Sequence, residues 1–272
     1  MGHNLGLSHA SGLDCGSEVI HAGQLYDNGS LDLNTFCISW EYADNFDIMG
    51  FLSSGHFNAP HKERLGWFEP GNVRVLATSQ DSGTYTIKSL ENFSTGIQAI
   101  RIPMGIDSVG RWNYYNIEYR QPLGFDGYLQ SYPNITNAAL VHLSIINSVT
   151  GASSKSLLLD MTPDSYIGSC SGIGCMDFRD PALAIGQTFT DPTGITITPV
   201  ANDSSSLTVK VNIPPTPRVL LFSPNDGGFA SRNFNIIASA MADQQINQVS
   251  FFVDGELLGS DTASSDSSFS MG

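Results

Sequence analysis

Past Pro70-Gly71 the chain reads as short apolar, β-branched and aromatic runs separated by Gly, Asp, Ser and Asn. This pattern predicts strands at Val73–Ala77, Gly83–Ser89, Gly96–Pro103, Tyr114–Arg120, Ala139–Ile146, Ser156–Asp160, Gly194–Val200 and Ser206–Ile213. Turns fall at Gln80-Asp81-Ser82-Gly83 and Phe125-Asp126-Gly127. Strands at this spacing predict an antiparallel sandwich. Before residue 70 the pattern differs: Lys62 to Trp67 reads as helical turns entered after Pro60 and stopped at Gly66. Pro214-Pro215-Thr216-Pro217 is a stiff linker. Beyond it Val249–Val253, Asp254-Gly255 and Glu256–Gly259 form a hairpin with a favoured two-residue turn, and the tail from Ser264 reads as irregular.

Composition narrows the function. Of 272 residues, 12 are Lys or Arg and 26 are Asp or Glu, a formal charge of −14 that argues against a nucleic-acid partner. No apolar run approaches the roughly 20 residues of a membrane span. Four cysteines allow three connectivities; Cys15–Cys37 and Cys170–Cys175 are favoured, with free buried thiols as the alternative.

The candidate chemistry lies at the start. His3-Asn4-Leu5-Gly6-Leu7-Ser8-His9 has the spacing H-x-x-G-x-x-H, and Gly6 is what lets a helix stop and turn so that His9 reaches the metal held by His3. Gly2 to Ala10 resembles the second half of the zinc motif H-E-x-G-H-N-L-G-L-x-H-A of the gametolysin family of metzincin peptidases. Met1 occupies the x after the glutamate in that alignment, which puts the first histidine ligand and the general-base glutamate upstream of Met1. Glu41-Tyr42-Ala43-Asp44-Asn45-Phe46-Asp47-Ile48-Met49-Gly50 resembles that family's Met-turn, and His56 to Trp67 resembles the stretch after it. The resemblance implies a zinc site with His3 and His9 as two of three ligands, and Met49 as an apolar floor. His56 and His61 are possible cleft residues, with a purely structural role favoured. With the first ligand and the glutamate outside the 272 residues, weak zinc binding and negligible peptidase activity are expected of them. Residues 1–70 are expected to order poorly for want of upstream packing.

The expected fold is therefore mainly β. It comprises the C-terminal part of an α/β metzincin catalytic domain (1–70), a β-sandwich-like module (71–213), and a linker with a partial immunoglobulin-like domain (214–272). The implied function is a secreted zinc endopeptidase acting on protein or peptide substrates, with cell-wall or extracellular-matrix contact possible. The alternative is an extracellular adhesion or glycan-binding protein with an inactive metzincin remnant, although Trp40, Trp67 and Trp112 form no ladder. His21 and His142 read as surface or core residues. Glu118 and Arg120 read as partners across a sheet, and the loops at Asp107, Asp160, Asp177 and Asp180 as solvated rather than calcium-binding.

Overall fold

A computed structural model describes residues 2–21, 37–50, 55–106, 111–147, 155–163, 165, 178–215, 218–223, 236–242, 246–262 and 268–271. The protein is mainly β. Residues 10–213 supply β1 (Ala10–Asp14), β2 (Ile38–Trp40), β3 (Val73–Val75), β4 (Gly83–Lys88), β5 (Ala99–Ile106), β6 (Arg111–Glu118), β7 (Ala138–Asn147), β8 (Lys155–Leu159), β9 (Leu183–Ala184), β10 (Phe189–Thr190), β11 (Thr196–Asn202) and β12 (Ser206–Asn212), together with helix α1 (Ala59–Arg64). All eight strands expected between residues 73 and 213 are present. The larger sheet runs β2-β1-β8-β7-β6-β5-β3 with β9 beside β7, and the smaller runs β10-β11-β12-β4.

The period-2 alternation explains how the sheets stack. Tyr115 and Ile117 of β6, Val141, Leu143 and Ile145 of β7, and Leu157 and Leu159 of β8 share one core with Ile87, Ile197, Leu207, Val209 and Val211 of the smaller sheet. The pairing corrects the antiparallel expectation: β1 runs parallel to β8, and β3 runs parallel to β5, the chain between these last two passing through β4 of the smaller sheet.

The alternate positions carry Asn116, Glu118, His142, Ser144 and Ser156, the pattern of a solvated face, yet all five are buried. Ala43, Phe46, Leu129, Ile135 and Phe178 cover that face, packed on Leu140 and Leu158. β1 is hydrogen-bonded between β2 and β8, so the large sheet crosses the boundary placed at residue 70.

Helix α1 starts earlier than the expected Lys62, because Asn58 caps it, its side chain accepting from the His61 N–H, and Pro60 is accommodated in its first turn. It ends before Gly66, which follows at φ 68°. Glu63 of α1 pairs with Arg101 of β5 at 2.6 Å, and the Ala59 N–H donates to Glu118 Oε2 at 2.5 Å, fixing the helix on the sheet.

Cys15 and Cys37 form a disulfide, closing a loop at the β1–β2 end of the sheet. Cys170 and Cys175 lie outside the described residues. Replacing Cys15 and Cys37 together with alanine is expected to lower stability by about 3 kcal/mol, the chain-entropy effect for a loop of this length. Denaturant titration of the double variant checks this; an unchanged midpoint would count against it.

Near the C-terminus, β13 (Arg218–Ser223), β14 (Ile236–Met241) and β17 (Ser268–Met271) form one sheet. β15 (Gln248–Val253) and β16 (Glu256–Thr262) form the expected hairpin. Ile236, Ala238, Ala240 and Phe251 make a small core of their own. The tail corrects its irregular reading, since β17 pairs antiparallel with β14.

Candidate functional site

Residues Gly2–Leu5 form a 3-10 turn that ends at Gly6, whose φ of 80° is the left-handed conformation its motif position requires. Met1, the position that follows the general-base glutamate in the family motif, lies outside the described residues. The chain reverses at Gly6 and enters β1 at Ala10, carrying His9 back beside His3. The two Nε2 atoms lie 2.8 Å apart. Each outer nitrogen is engaged: His3 Nδ1 lies 2.9 Å from the Leu7 carbonyl oxygen and His9 Nδ1 lies 2.5 Å from Glu41 Oε1. A carbonyl and a carboxylate only accept, so both Nδ1 atoms donate and both rings turn Nε2 toward one point. Tyr42 Oη lies 2.8 Å from His9 Nε2 with its ring against the His9 imidazole.

The Met-turn residues pack under this point. A Cβ on Gly2 would lie 2.3 Å from Met49 Sδ, so the thioether occupies the space that a side chain at residue 2 would need. The Met49 carbonyl accepts from the Ala10 N–H at 3.0 Å, just after His9. A Cβ on Gly50 would fall 1.7 Å from the Asp44 carbonyl oxygen, so the turn closes too tightly for any side chain there.

The two aspartates of the motif hold the turn from inside. Asp47 accepts from the Met49 N–H through Oδ1 at 2.6 Å, and from the Asn58 N–H and His61 Nδ1 through Oδ2 at 2.7 and 2.8 Å. Asp44 accepts from the Phe46 N–H, from Asn58 Nδ2 and from His142 Nε2. Burial raises the Asp44 carboxyl, but the hydrogen bond and charge of His142 outweigh it and hold the group below its usual range. Burial opposes the charged form of His142, yet Glu118 and Asp44 hold its pKa above the usual histidine value.

These contacts settle where the other histidines lie. His61, for which the sequence favours a structural role over a place in the cleft, is fully buried and braces the Met-turn through Asp47. His56 is half-buried, donates its N–H to Asp126 Oδ1 at 2.8 Å and lies against Phe125; burial lowers its pKa. Neither contacts His3 or His9 among the described residues. His142 is a core residue as read, and His21 lies 3.9 Å from Glu18. Glu118 and Arg120 do pair, at 3.0 Å, but as neighbours on one chain segment and not across the sheet. Asp160 is buried, taking the Thr162 N–H at 2.9 Å, while Asp180 accepts from the Ser165 hydroxyl; Asp107 and Asp177 lie outside the described residues.

Glu41 and Tyr42 stand in the Met-turn motif, yet the sequence assigns them no part in the site. Their position at the end of β2, antiparallel to the β1 strand that follows His9, is the signal that finds them. No group of three or more His, Cys, Asp and Glu side chains is placed to hold a metal among the described residues. The His3–His9 pair itself fits one. Its outer nitrogens make the carbonyl and carboxylate contacts typical of metal-ligating imidazoles. A tetrahedral zinc with bonds of about 2.0–2.1 Å sets two nitrogens about 3.3 Å apart, so the rings need part by only about half an ångström.

At the far end of the chain Asp254 and Gly255 turn the β15–β16 hairpin at φ 50° and 85°, the two positive values of a type I′ turn. Phe252, Val253, Leu257 and Leu258 are exposed around it. With two small sheets and a separate core, this segment has the parts of an immunoglobulin-like module. Residues 217–271 match a bacterial Ig domain. The match begins inside the Pro-rich linker and takes in every strand of the Ig-like domain, β13 to β17. No metzincin or gametolysin match accompanies it. No curated protein and no solved structure matches the chain.

Proposed function

We propose that residues 2–61 are the zinc-binding part of a secreted metallopeptidase of the gametolysin type, coupled to the Ig-like domain at 217–271. The observation that carries this is the convergence of His3 and His9 Nε2 to 2.8 Å, directly beside Met49 of the Met-turn. Two sequence matches forty residues apart thus meet in space. A zinc ion at such a site supplies Lewis acidity and a bound water of lowered pKa. The residues of this chain hold and orient. His3 and His9 present neutral nitrogens, Leu7 and Glu41 fix their tautomers, and the Asp47–His61 pair keeps Met49 in place. The proton of an attacking water needs a general base, which the family motif places in the H-E step upstream of Met1.

The Cys15–Cys37 disulfide supports an oxidising, extracellular setting. No described helix is long and apolar enough to cross a membrane.

Two outcomes are expected. The 272-residue chain leaves casein intact, while a chain extended upstream in its own reading frame clears casein, loses the activity with a chelator and loses it again in His9→Ala. Absence of clearing by the extended chain, with retention on a glycan column, would favour the second reading, an adhesion protein. The matched Ig domain and its exposed Phe252, Val253, Leu257 and Leu258 are what favour that reading.

A further inference from the structure

The arrangement at residues 3–9 is one positive charge short. His3 and His9 both donate through Nδ1, so their Nε2 lone pairs face each other at 2.8 Å, a repulsive contact unless a cation or an extra proton stands between them. The Tyr42 hydroxyl, 2.8 Å from His9 Nε2, can donate its proton to that nitrogen, and on losing the proton its oxygen becomes a third donor atom at the same point. Tyr42 is held there under backbone strain: its φ of 65° makes it one of two described non-glycine residues in the left-handed region. An aromatic residue adopts that conformation only when its surroundings impose it, and such positions cluster at ligand sites. The surroundings here are the Ala43 N–H donating to the Trp40 carbonyl and the buried Asp44 that follows. His3 and Glu41 are exposed, and His9 and Tyr42 are partly so, which leaves the site open to an ion from solvent.

We infer that Tyr42 is a metal ligand, completing with His3 and His9 a three-donor site of two imidazoles and one phenolate, through which the 272-residue chain binds a divalent transition-metal ion. The inference rests on the metal site proposed above and goes beyond it, since the family resemblance supplies two ligands and this chain supplies a third of a different type. Binding releases the Tyr42 phenolic proton to solvent as the oxygen–metal bond forms, together with any proton that the two Nε2 atoms share in the absence of metal. Three protein ligands leave one position of a tetrahedral ion for water.

The test is a zinc titration of the full 272-residue protein and of His3→Ala, His9→Ala and Tyr42→Phe, followed by calorimetry in buffers of different ionisation enthalpy and by ultraviolet difference spectroscopy. Wild type is expected to take up one zinc with release of protons and the appearance of a tyrosinate difference band. Tyr42→Phe is expected to lose the band, to release one proton fewer and to bind about 10- to 100-fold more weakly. His3→Ala and His9→Ala are expected to lose binding at this site. Thermal unfolding without metal controls for folding of each variant, and Phe at residue 42 keeps the ring that packs on His9. Zinc binding by Tyr42→Phe with the wild-type affinity and proton count, while the histidine variants lose it, would overturn Tyr42 as a ligand and leave the histidine pair standing. Absence of zinc binding by wild type would mean that a shared imidazolium proton only occupies the site, and would overturn both.

Discussion

Arg120→Met is expected to be among the most destabilising single substitutions in this protein. The guanidinium is fully buried and donates to Glu91 Oε1 at 2.8 Å, to Glu118 Oε1 at 3.0 Å, to Asp126 Oδ2, and to the Phe46 carbonyl at 2.9 Å. Methionine fills similar volume but leaves three carboxylates facing one another without a cation. Breaking a buried ion pair from one side costs about 3–5 kcal/mol, a large share of the roughly 5–15 kcal/mol that holds a domain folded. The same substitution frees the Phe46 carbonyl, three residues before Met49, so the effect reaches the metal site through the Met-turn. Thermal unfolding of Arg120→Met should show a midpoint lower by about 10 °C or more. Adding Glu118→Gln should recover part of this loss, because it removes a charge the arginine no longer neutralises. A midpoint within a degree or two of wild type would mean that the cluster is neutralised by other means.

Which features the sequence discloses follows from where the physical information sits. Eight of the ten strands from β3 to β12 are legible because apolar and polar residues alternate and Gly, Asp and Ser punctuate them, whereas β9 and β10, two residues each, are too short to carry the pattern. β1 is not legible either: Ala10-Ser11-Gly12 has little β-propensity, and the strand exists because β8 and β2 offer unpaired backbone on either side. The polar face of β6, β7 and β8 misleads for a related reason. Asn116, Glu118, His142 and Ser144 alternate as a solvated face would, and only the three-dimensional path of the chain shows that His142 meets Asp44, Glu118 meets the α1 N-terminus and Asn116 meets Ser144 under cover instead. At the candidate site the spacing of His3, Gly6 and His9 and the Met49-Gly50 turn are legible, since a left-handed glycine and a close backbone approach each dictate a residue type. The roles of Asp44 and Asp47 are not, because their partners lie up to 98 residues away. Tyr42 stands in the motif in plain view, but its contact with His9 depends on the β1–β2 register, which no local pattern encodes.

Stability should fall between about pH 5 and pH 7, and Glu91 is the main cause. Burial pushes its carboxyl up to about 7, with the Asp126 carboxylate adding to the rise and the Arg120 guanidinium opposing it. The unfolded chain releases that proton near 4.5, so the folded state holds a proton that the unfolded state lacks throughout the interval. A raised pKa contributes stability that is complete below the unfolded value and is lost as pH climbs through the folded one. The difference of roughly 2.5 units corresponds to about 3 kcal/mol. His142, also raised, works in the same direction at and above its ordinary value of 6.5. Asp126 works in the opposite one: burial raises it, but the charge and hydrogen bonds of Arg120 prevail and hold it low, so its contribution is present above about pH 4 and lost as pH falls. Maximum stability is therefore expected near pH 5. Glu91→Gln keeps a hydrogen-bonding side chain beside Asp126 without the charge. It should match wild type near pH 5, exceed it at pH 8, and remove most of the slope between. Denaturant midpoints at half-unit pH steps measure this, and a wild-type curve that is flat or rising from pH 5 to pH 8 would show that Glu91 is ionised in the folded protein well below 7.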